Sequence, residues 1–103
     1  MSDIYGEVVW KNWIDTQDVV IGIYTVRQGE RLYRHKHSIP EYYYVTSGNG
    51  YVYLNDTMQF LRESQFLVIN SHLYHEVYNP FSKDLTILYV FPRGYFRDIG
   101  YFT

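Results

Sequence analysis

Short β-forming runs alternate with turn residues along the whole chain, and this pattern constrains the fold more than any other feature. Residues 19–27, VVIGIYTVR, and 85–91, LTILYVF, are nearly continuous apolar runs typical of buried strands. Turn signals such as S-G-N-G at 47–50 recur about every eight to twelve residues, and no segment of useful length shows a helical period. We predict strands within 4–13 and 19–27, along the stretch holding His35 and His37, and at 41–46, 51–54, 57–61, 66–69, 75–79 and 85–91. This spacing predicts an all-β sandwich or barrel of about 8 to 10 short strands.

The composition indicates one domain and excludes several classes of protein. A chain of 103 residues supports one hydrophobic core, and 47% hydrophobic against 19% charged residues is typical of globular proteins. A formal net charge of −2, with the basic residues scattered, argues against a nucleic-acid surface. No apolar run approaches membrane-spanning length. We therefore expect a single domain over residues 1–103 in a soluble cytoplasmic protein, with neither nucleic acid nor membrane as a partner.

Two histidines and a glutamate lie close together in the sequence. His35 and His37 are two residues apart, so on a strand their side chains project from the same face. Ser38-Ile39-Pro40 reads as a turn, after which Glu41 opens the next predicted strand and can bring its carboxylate back beside the two rings. The alternative is a pair of surface histidines at a loop-to-strand junction. Convergence of these three side chains would make half of a metal site.

A second pair of histidines weakens the surface alternative. His72 and His75 lie in another loop-to-strand stretch, from which a further ligand could complete a set of three histidines and one glutamate. The chain has no cysteine, so imidazole and carboxylate are the strong metal ligands available.

These residues resemble the two motifs of the cupin superfamily. The first motif, G-x5-H-x-H-x3-E-x6-G, is matched at every specified position within residues 29–48, by Gly29, His35, His37, Glu41 and Gly48. The second motif, G-x5-P-x-G-x2-H-x3-N, resembles residues 64–79. There His75 and Asn79 match, whereas Ser64, Asn70 and His72 stand at the family's Gly, Pro and Gly positions. The resemblance implies a double-stranded β-helix, or jelly roll, typical of small single-domain microbial cupins.

The same resemblance implies His35, His37, Glu41 and His75 as ligands of one divalent transition metal. Three imidazoles and one carboxylate suit Fe, Mn, Ni, Zn or Cu, and the sequence does not choose among them.

Tyrosines are candidates for catalytic roles beside such a metal. Tyr43 shares a strand face with Glu41, so we expect it to point inward with that ligand. Tyr53 and Tyr89 are further candidates, and each phenol could act as acid, base or orienting donor. The alternative is that all three are core aromatics whose hydroxyls find ordinary partners.

Two other side chains are candidates for substrate binding. Arg31 could pair with a substrate carboxylate, or could be a solvated surface arginine. His72 could contact substrate, or could be a turn residue that tolerates the left-handed region of backbone space.

Two classes of function remain open at this stage. The first is a metalloenzyme acting on a small carbonyl, carboxylate or sugar-like molecule, of dioxygenase, isomerase, decarboxylase or lyase type. The second is a non-catalytic module that binds a sugar or other small molecule. In either case the tryptophan-bearing N-terminal segment and the aromatic tail at 91–102 lead us to expect a homodimer.

Overall fold

The computed structural model describes residues 8–100, and this part of the chain is almost entirely β-structure. It contains nine strands and one short 3₁₀ helix, and no helix in it has the length and apolarity needed to cross a bilayer. The strands are β1 (Val9–Asp15), β2 (Val20–Val26), β3 (Arg31–His35), β4 (Glu41–Ser47), β5 (Gly50–Leu54), β6 (Thr57–Leu61), β7 (Phe66–Ile69), β8 (His75–Tyr78) and β9 (Leu85–Phe91), and the 3₁₀ helix is Phe96–Asp98. Every predicted strand is present within a few residues of its expected position, although residues 4–7 lie outside the described part.

The strands form two antiparallel sheets. The five-stranded sheet has the order β1-β2-β9-β4-β7, and the four-stranded sheet has the order β3-β8-β5-β6. Neighbouring strands are mostly distant in sequence, as in a jelly roll. The predicted double-stranded β-helix is confirmed.

Alternating burial places the core between the two sheets. On β9, Leu85, Ile87, Tyr89 and Phe91 are buried, while the residues between them are half-exposed. A strand with one face toward a core gives this period of two. The inner faces therefore supply the core, and any side chain at an alternate position belongs to an outer surface.

Asn79 joins the end of the second motif to the start of the first. Its amide nitrogen donates to the carbonyls of Val26 at 2.8 Å and Lys83 at 2.9 Å, and its backbone carbonyl accepts the N–H of Gly29 at 2.7 Å. The side chain is fully buried, so these bonds satisfy an amide that would otherwise be costly to bury. This connection holds the turns at the far ends of β3 and β8, the two strands that carry His35 and His75.

Four of the left-handed backbone positions lie where the family motifs have glycine. Gly29 has φ 82°, as predicted, and Gly48 has φ 79°. In the second motif Ser64 has φ 69° and His72 has φ 63°, at two positions where the family has glycine. The predicted role of His72 as a left-handed turn residue is confirmed.

Candidate metal centre

Three histidines and one glutamate meet at one end of the space between the sheets. His35 ends β3 and is the direct cross-strand partner of His75, which begins β8. His37 follows two residues after His35, and Glu41 begins β4 in the opposite sheet. All four side chains are buried, with relative exposures from 1% to 4%.

The distances within the group are short. One ring nitrogen from each of the three histidines lies within 4.8 Å of the others. Glu41 Oε1 lies 3.2 Å from His37 Nε2 and 3.4 Å from His75 Nε2. The structure therefore brings three histidines together and places the carboxylate against two of them.

Each imidazole is oriented by a backbone carbonyl two residues away in the sequence. The Nδ1 atoms of the histidines at 35, 37 and 75 lie 2.7, 2.6 and 2.9 Å from the carbonyl oxygens of Tyr33, Ile39 and Leu73 respectively. Because a carbonyl oxygen only accepts, Nδ1 must carry the proton in every ring. In a neutral ring the lone pair is then on Nε2, the atom available to a metal.

The donor set fits a divalent cation. His75 Nε2 is buried and makes no hydrogen bond within residues 8–100, although Glu41 Oε1 is nearby. His37 Nε2 could donate to that carboxylate only if its ring carried two protons, since Nδ1 already donates to Ile39. A cation satisfies these lone pairs and the carboxylate together, so the residues fit the predicted metal.

Burial and mutual charge shape the protonation of the group. Desolvation, followed by the nearby His75, lowers the pKa of His35 to about 3. Burial by itself would raise the pKa of Glu41, but the neighbouring imidazoles of His37 and His75 outweigh it and leave the pKa below its ordinary value. The site thus favours a neutral His35 and an ionised Glu41, which are the forms that bind metal.

Aromatic and aliphatic side chains surround this polar group. The ring of Phe91 lies 5.1 Å from that of His37, and the ring of Tyr43 lies 6.4 Å from that of His75. Ile39 and Leu73 pack against the core while their carbonyls orient two of the imidazoles. Such surroundings exclude bulk water and strengthen electrostatic interactions in the site.

Of the three candidate tyrosines, only Tyr43 lies beside the histidines. It is buried and shares the inner face of β4 with Glu41, as predicted. Tyr89 is also buried, but its hydroxyl lies over Gly22 on β2 and donates to Asn12 on β1. Burial, followed by the nearby charges of Glu41 and Asp15, raises the pKa of this hydroxyl, which already has Asn12 as an ordinary partner. For Tyr89 the structure favours the ordinary core interpretation.

Tyr53 and Arg31 lie on the outer face of the four-stranded sheet. Tyr53 is the cross-strand partner of Glu76, and the neighbouring pair Val52 and Val77 is buried on the inner face. Arg31 also pairs with Glu76, at 2.8 Å, and covers the ring of Tyr78. Each had two interpretations in the sequence. The sheet lies between both side chains and the histidines, so Arg31 occupies the surface position that was its alternative. The sequence could not show this because the register of β3 and β5 was unknown.

His72 contributes to the site through its backbone. Its side chain is exposed, but its N–H donates to the carbonyl of His37 at 2.8 Å. The second loop thereby holds the ligand-bearing turn of the first. This contact and the carbonyls that orient the imidazoles were missed from the sequence, because backbone groups carry no signal of residue type.

Comparisons with known proteins agree with this geometry. The family model described as Cupin domain matches residues 22–91. The chain is 31% identical to dimethylsulfoniopropionate lyase DddW of Ruegeria pomeroyi over 94% of its own length, and it spans 66% of that relative, just under two thirds.

Solved structures share the fold at low sequence identity. A Klebsiella pneumoniae protein with a double-stranded β-helix domain superposes with a TM-score of 0.84, at 18% identity, over 94% of this chain and 84% of that one. A predicted oxalate decarboxylase from Thermotoga maritima superposes with a TM-score of 0.80, at 20% identity, over 90% of this chain and 89% of that one. With the family match, the motif residues and the two facing sheets, these findings establish that the chain belongs to the cupin family.

Proposed function

We propose that this cupin is a metal-dependent lyase acting on a small carboxylate, with dimethylsulfoniopropionate as the first substrate to test. The observation that carries the proposal is the convergence of three buried imidazoles, each with Nδ1 on a backbone carbonyl, with Glu41 against two of them. The similarity to a dimethylsulfoniopropionate lyase supports this choice over the oxidative, isomerising and decarboxylating chemistries that the same ligands allow.

The metal would be held by His35, His37, His75 and Glu41. A divalent ion held there would supply Lewis-acid chemistry, which polarises a substrate carboxylate and stabilises negative charge on the neighbouring carbon. Fe, Mn, Ni, Zn and Cu all suit these ligands.

The proposed reaction is an elimination that needs no oxidant. A proton leaves the carbon beside the carboxylate, its electron pair forms the new double bond, and the carbon–sulfur bond breaks with its pair on sulfur. The products from dimethylsulfoniopropionate are acrylate, dimethyl sulfide and one proton. Tyr43 is the buried phenol beside the histidines, and in its phenolate form it would accept that proton.

Metal analysis combined with headspace detection of dimethyl sulfide tests the proposal. Protein purified without chelator should contain close to one metal ion per chain and release dimethyl sulfide and acrylate. Tyr43→Phe should keep the metal and lose at least about a hundredfold in turnover, because the proton acceptor is gone. Glu41→Gln should weaken metal binding. Full metal content without any product from dimethylsulfoniopropionate or similar 3-substituted propionates would contradict the lyase assignment.

A non-catalytic binding module is the second candidate. Side chains exposed by only 1–4% leave little of the metal site facing solvent, which favours a structural metal, with the small molecule bound elsewhere on the protein. The protein would then keep its metal, show no turnover, and release a co-purified small molecule on denaturation that mass spectrometry can identify.

We also propose that the protein is a cytoplasmic homodimer. Of the surface first expected, Phe91 is buried beside His37 and Phe96 packs against Trp10, whereas Trp13 on β1 is 57% exposed. Further exposed apolar side chains lie on the outer face of the five-stranded sheet, where Phe66 is 76% and Val68 is 51% exposed. A second copy would cover this face. Sedimentation should give a dimer that Phe66→Glu converts to monomer, and a monomeric wild type would contradict the proposal.

A further inference from the structure

A pocket of about 370 Å³ opens on the outer face of the four-stranded sheet, and His75 is the one residue of the histidine cluster that lines it. Tyr53 and Glu76 lie across from each other on β5 and β8 and line it, whereas their neighbours Val52 and Val77 are fully buried in the core. The sheet therefore separates this pocket from the space that holds the metal ligands. We call it the outer pocket; its lining includes Arg31, Arg34, Tyr53, Asn55, Tyr74 and Glu76.

The two arginines of the outer pocket differ in how far their charge is neutralised. Arg31 makes a 2.8 Å ion pair with Glu76, so these two charges cancel. Arg34 reaches Asp56 only at 3.8 Å, and that carboxylate is 99% exposed. An exposed ion pair at this distance contributes little free energy. Arg34 is thus the cation of the pocket that a ligand can engage.

Arg34 is also held in position. Its guanidinium lies 4.4 Å from the ring centroid of Tyr74, and one of its nitrogens donates to the carbonyl of Asn55 at 3.3 Å. A guanidinium has five N–H donors. Among residues 8–100, Arg34 uses only a few of them in these contacts, so others can bind a ligand. Because stacking on Tyr74 already restricts the guanidinium, less conformational entropy is lost when it binds a ligand.

Lys36 adds a second cation to the same ring. Its ammonium lies 4.8 Å from the centroid of Tyr74. The charges of Arg31 and Glu76 cancel each other. The two remaining cations, Arg34 and Lys36, have one carboxylate near them, that of Asp56, so one net positive charge is left. This balance suits a singly charged anion, and a planar fork matches a carboxylate in bidentate fashion.

We propose that the outer pocket binds a small organic carboxylate, whose carboxylate group pairs with Arg34 and whose apolar body lies against Tyr53 and Tyr74. The site is distinct from the metal centre and does not depend on the lyase assignment. Its floor includes His75, whose neighbours Tyr74 and Glu76 line the pocket while its own side chain is buried on the inner face.

Titration with benzoate, followed by ¹H–¹⁵N NMR, tests the proposal, with benzamide as the neutral control of the same shape. Benzoate should shift the amides of residues 53–56 and 74–76, and benzamide should not. Arg34→Gln should raise the benzoate Kd by about tenfold. Arg34→Lys, which keeps the charge and loses the fork, should lie between Arg34→Gln and the wild type.

Arg97 provides a matched control. It lies 4.4 Å from the ring of Tyr95 and 3.8 Å from Asp98, much as Arg34 lies near Tyr74 and Asp56, but it does not line the outer pocket. Arg97→Gln should therefore leave the benzoate Kd unchanged.

Three results would overturn the proposal. They are equal weakening by Arg97→Gln and Arg34→Gln, equal binding of benzamide and benzoate, and shifts confined to residues 35–41. Titrating the metal-free and metal-loaded protein separates the two sites, because binding at the outer pocket should be the same in both whether or not the protein is a lyase.

Discussion

The two histidine-bearing motifs meet at one site, yet they build their left-handed turns from different residues. The first motif has glycines at these positions, Gly29 and Gly48, whereas the second has Ser64 and His72. A Cβ at Gly48 would lie 2.1 Å from the carbonyl oxygen of Asp84, but a Cβ at Gly29 would meet nothing within 4 Å. Space around the backbone, more than the sign of φ, therefore decides where glycine is indispensable. Ser64 and His72 have exposed side chains, so the departures from the second motif cost little.

The largest effect should distinguish the two histidines of the second motif. His75→Ala removes a ring nitrogen from the centre, so metal content should fall to near zero. His72→Asn should keep the metal, because His72 supports the site only through its N–H and asparagine tolerates the left-handed region. Elemental analysis of both variants measures this. Equal metal loss would show that the His72 ring itself binds the ion.

A large effect on stability should follow from Gly48→Ala. The added methyl group would collide with the backbone of Asp84 in a conformation that alanine avoids, so we expect a loss of about 3 kcal/mol or more in the free energy of unfolding. Gly29→Ala, with open space around it, should lose only about 1 kcal/mol. Urea unfolding of both variants gives the comparison, and equal losses would show that φ alone sets the requirement.

Acid should destabilise the metal-free protein through the first motif. The pKa of His35 is about 3 in the folded protein against an ordinary 6.5, so between these values the unfolded chain takes up a proton that folded His35 does not. The free energy of unfolding should therefore fall as pH drops from about 6.5 toward 3, and the lowered pKa of Glu41 adds to the loss at the acidic end. His35→Asn should flatten the dependence, measured as urea midpoint against pH. His72→Asn should leave it unchanged.

The smallest effect should come from restoring the family glycines. Ser64→Gly and His72→Gly relieve left-handed strain but raise the entropy of the unfolded chain, so each should change the free energy of unfolding by less than about 1 kcal/mol. Thermal unfolding of the two variants tests this. A gain of several degrees from either variant would mean that the second motif carries more strain than its open turns indicate.

The sequence predicted the strands and the ligand cluster because both follow local rules. Runs of β-forming residues and the turn residues between them predicted the positions of the strands, and the spacing of His35, His37 and Glu41 predicted their convergence. The roles of other side chains depended on pairing between distant strands. The hydroxyl of Tyr89 reaches Asn12, on a strand far away in sequence, and a register shift between Leu32 and His35 alters the alternation along β3. Neither feature has a local signature.

The division of the ligands between the sheets has a mechanical consequence. His35 and His75 belong to the four-stranded sheet and Glu41 to the five-stranded sheet. An ion bound to all three would cross-link the two halves of the barrel at this end, while Asn79 fastens the turns at the other. Metal binding would then raise the resistance of the two sheets to mechanical separation and to proteolysis, independently of any chemistry at the site.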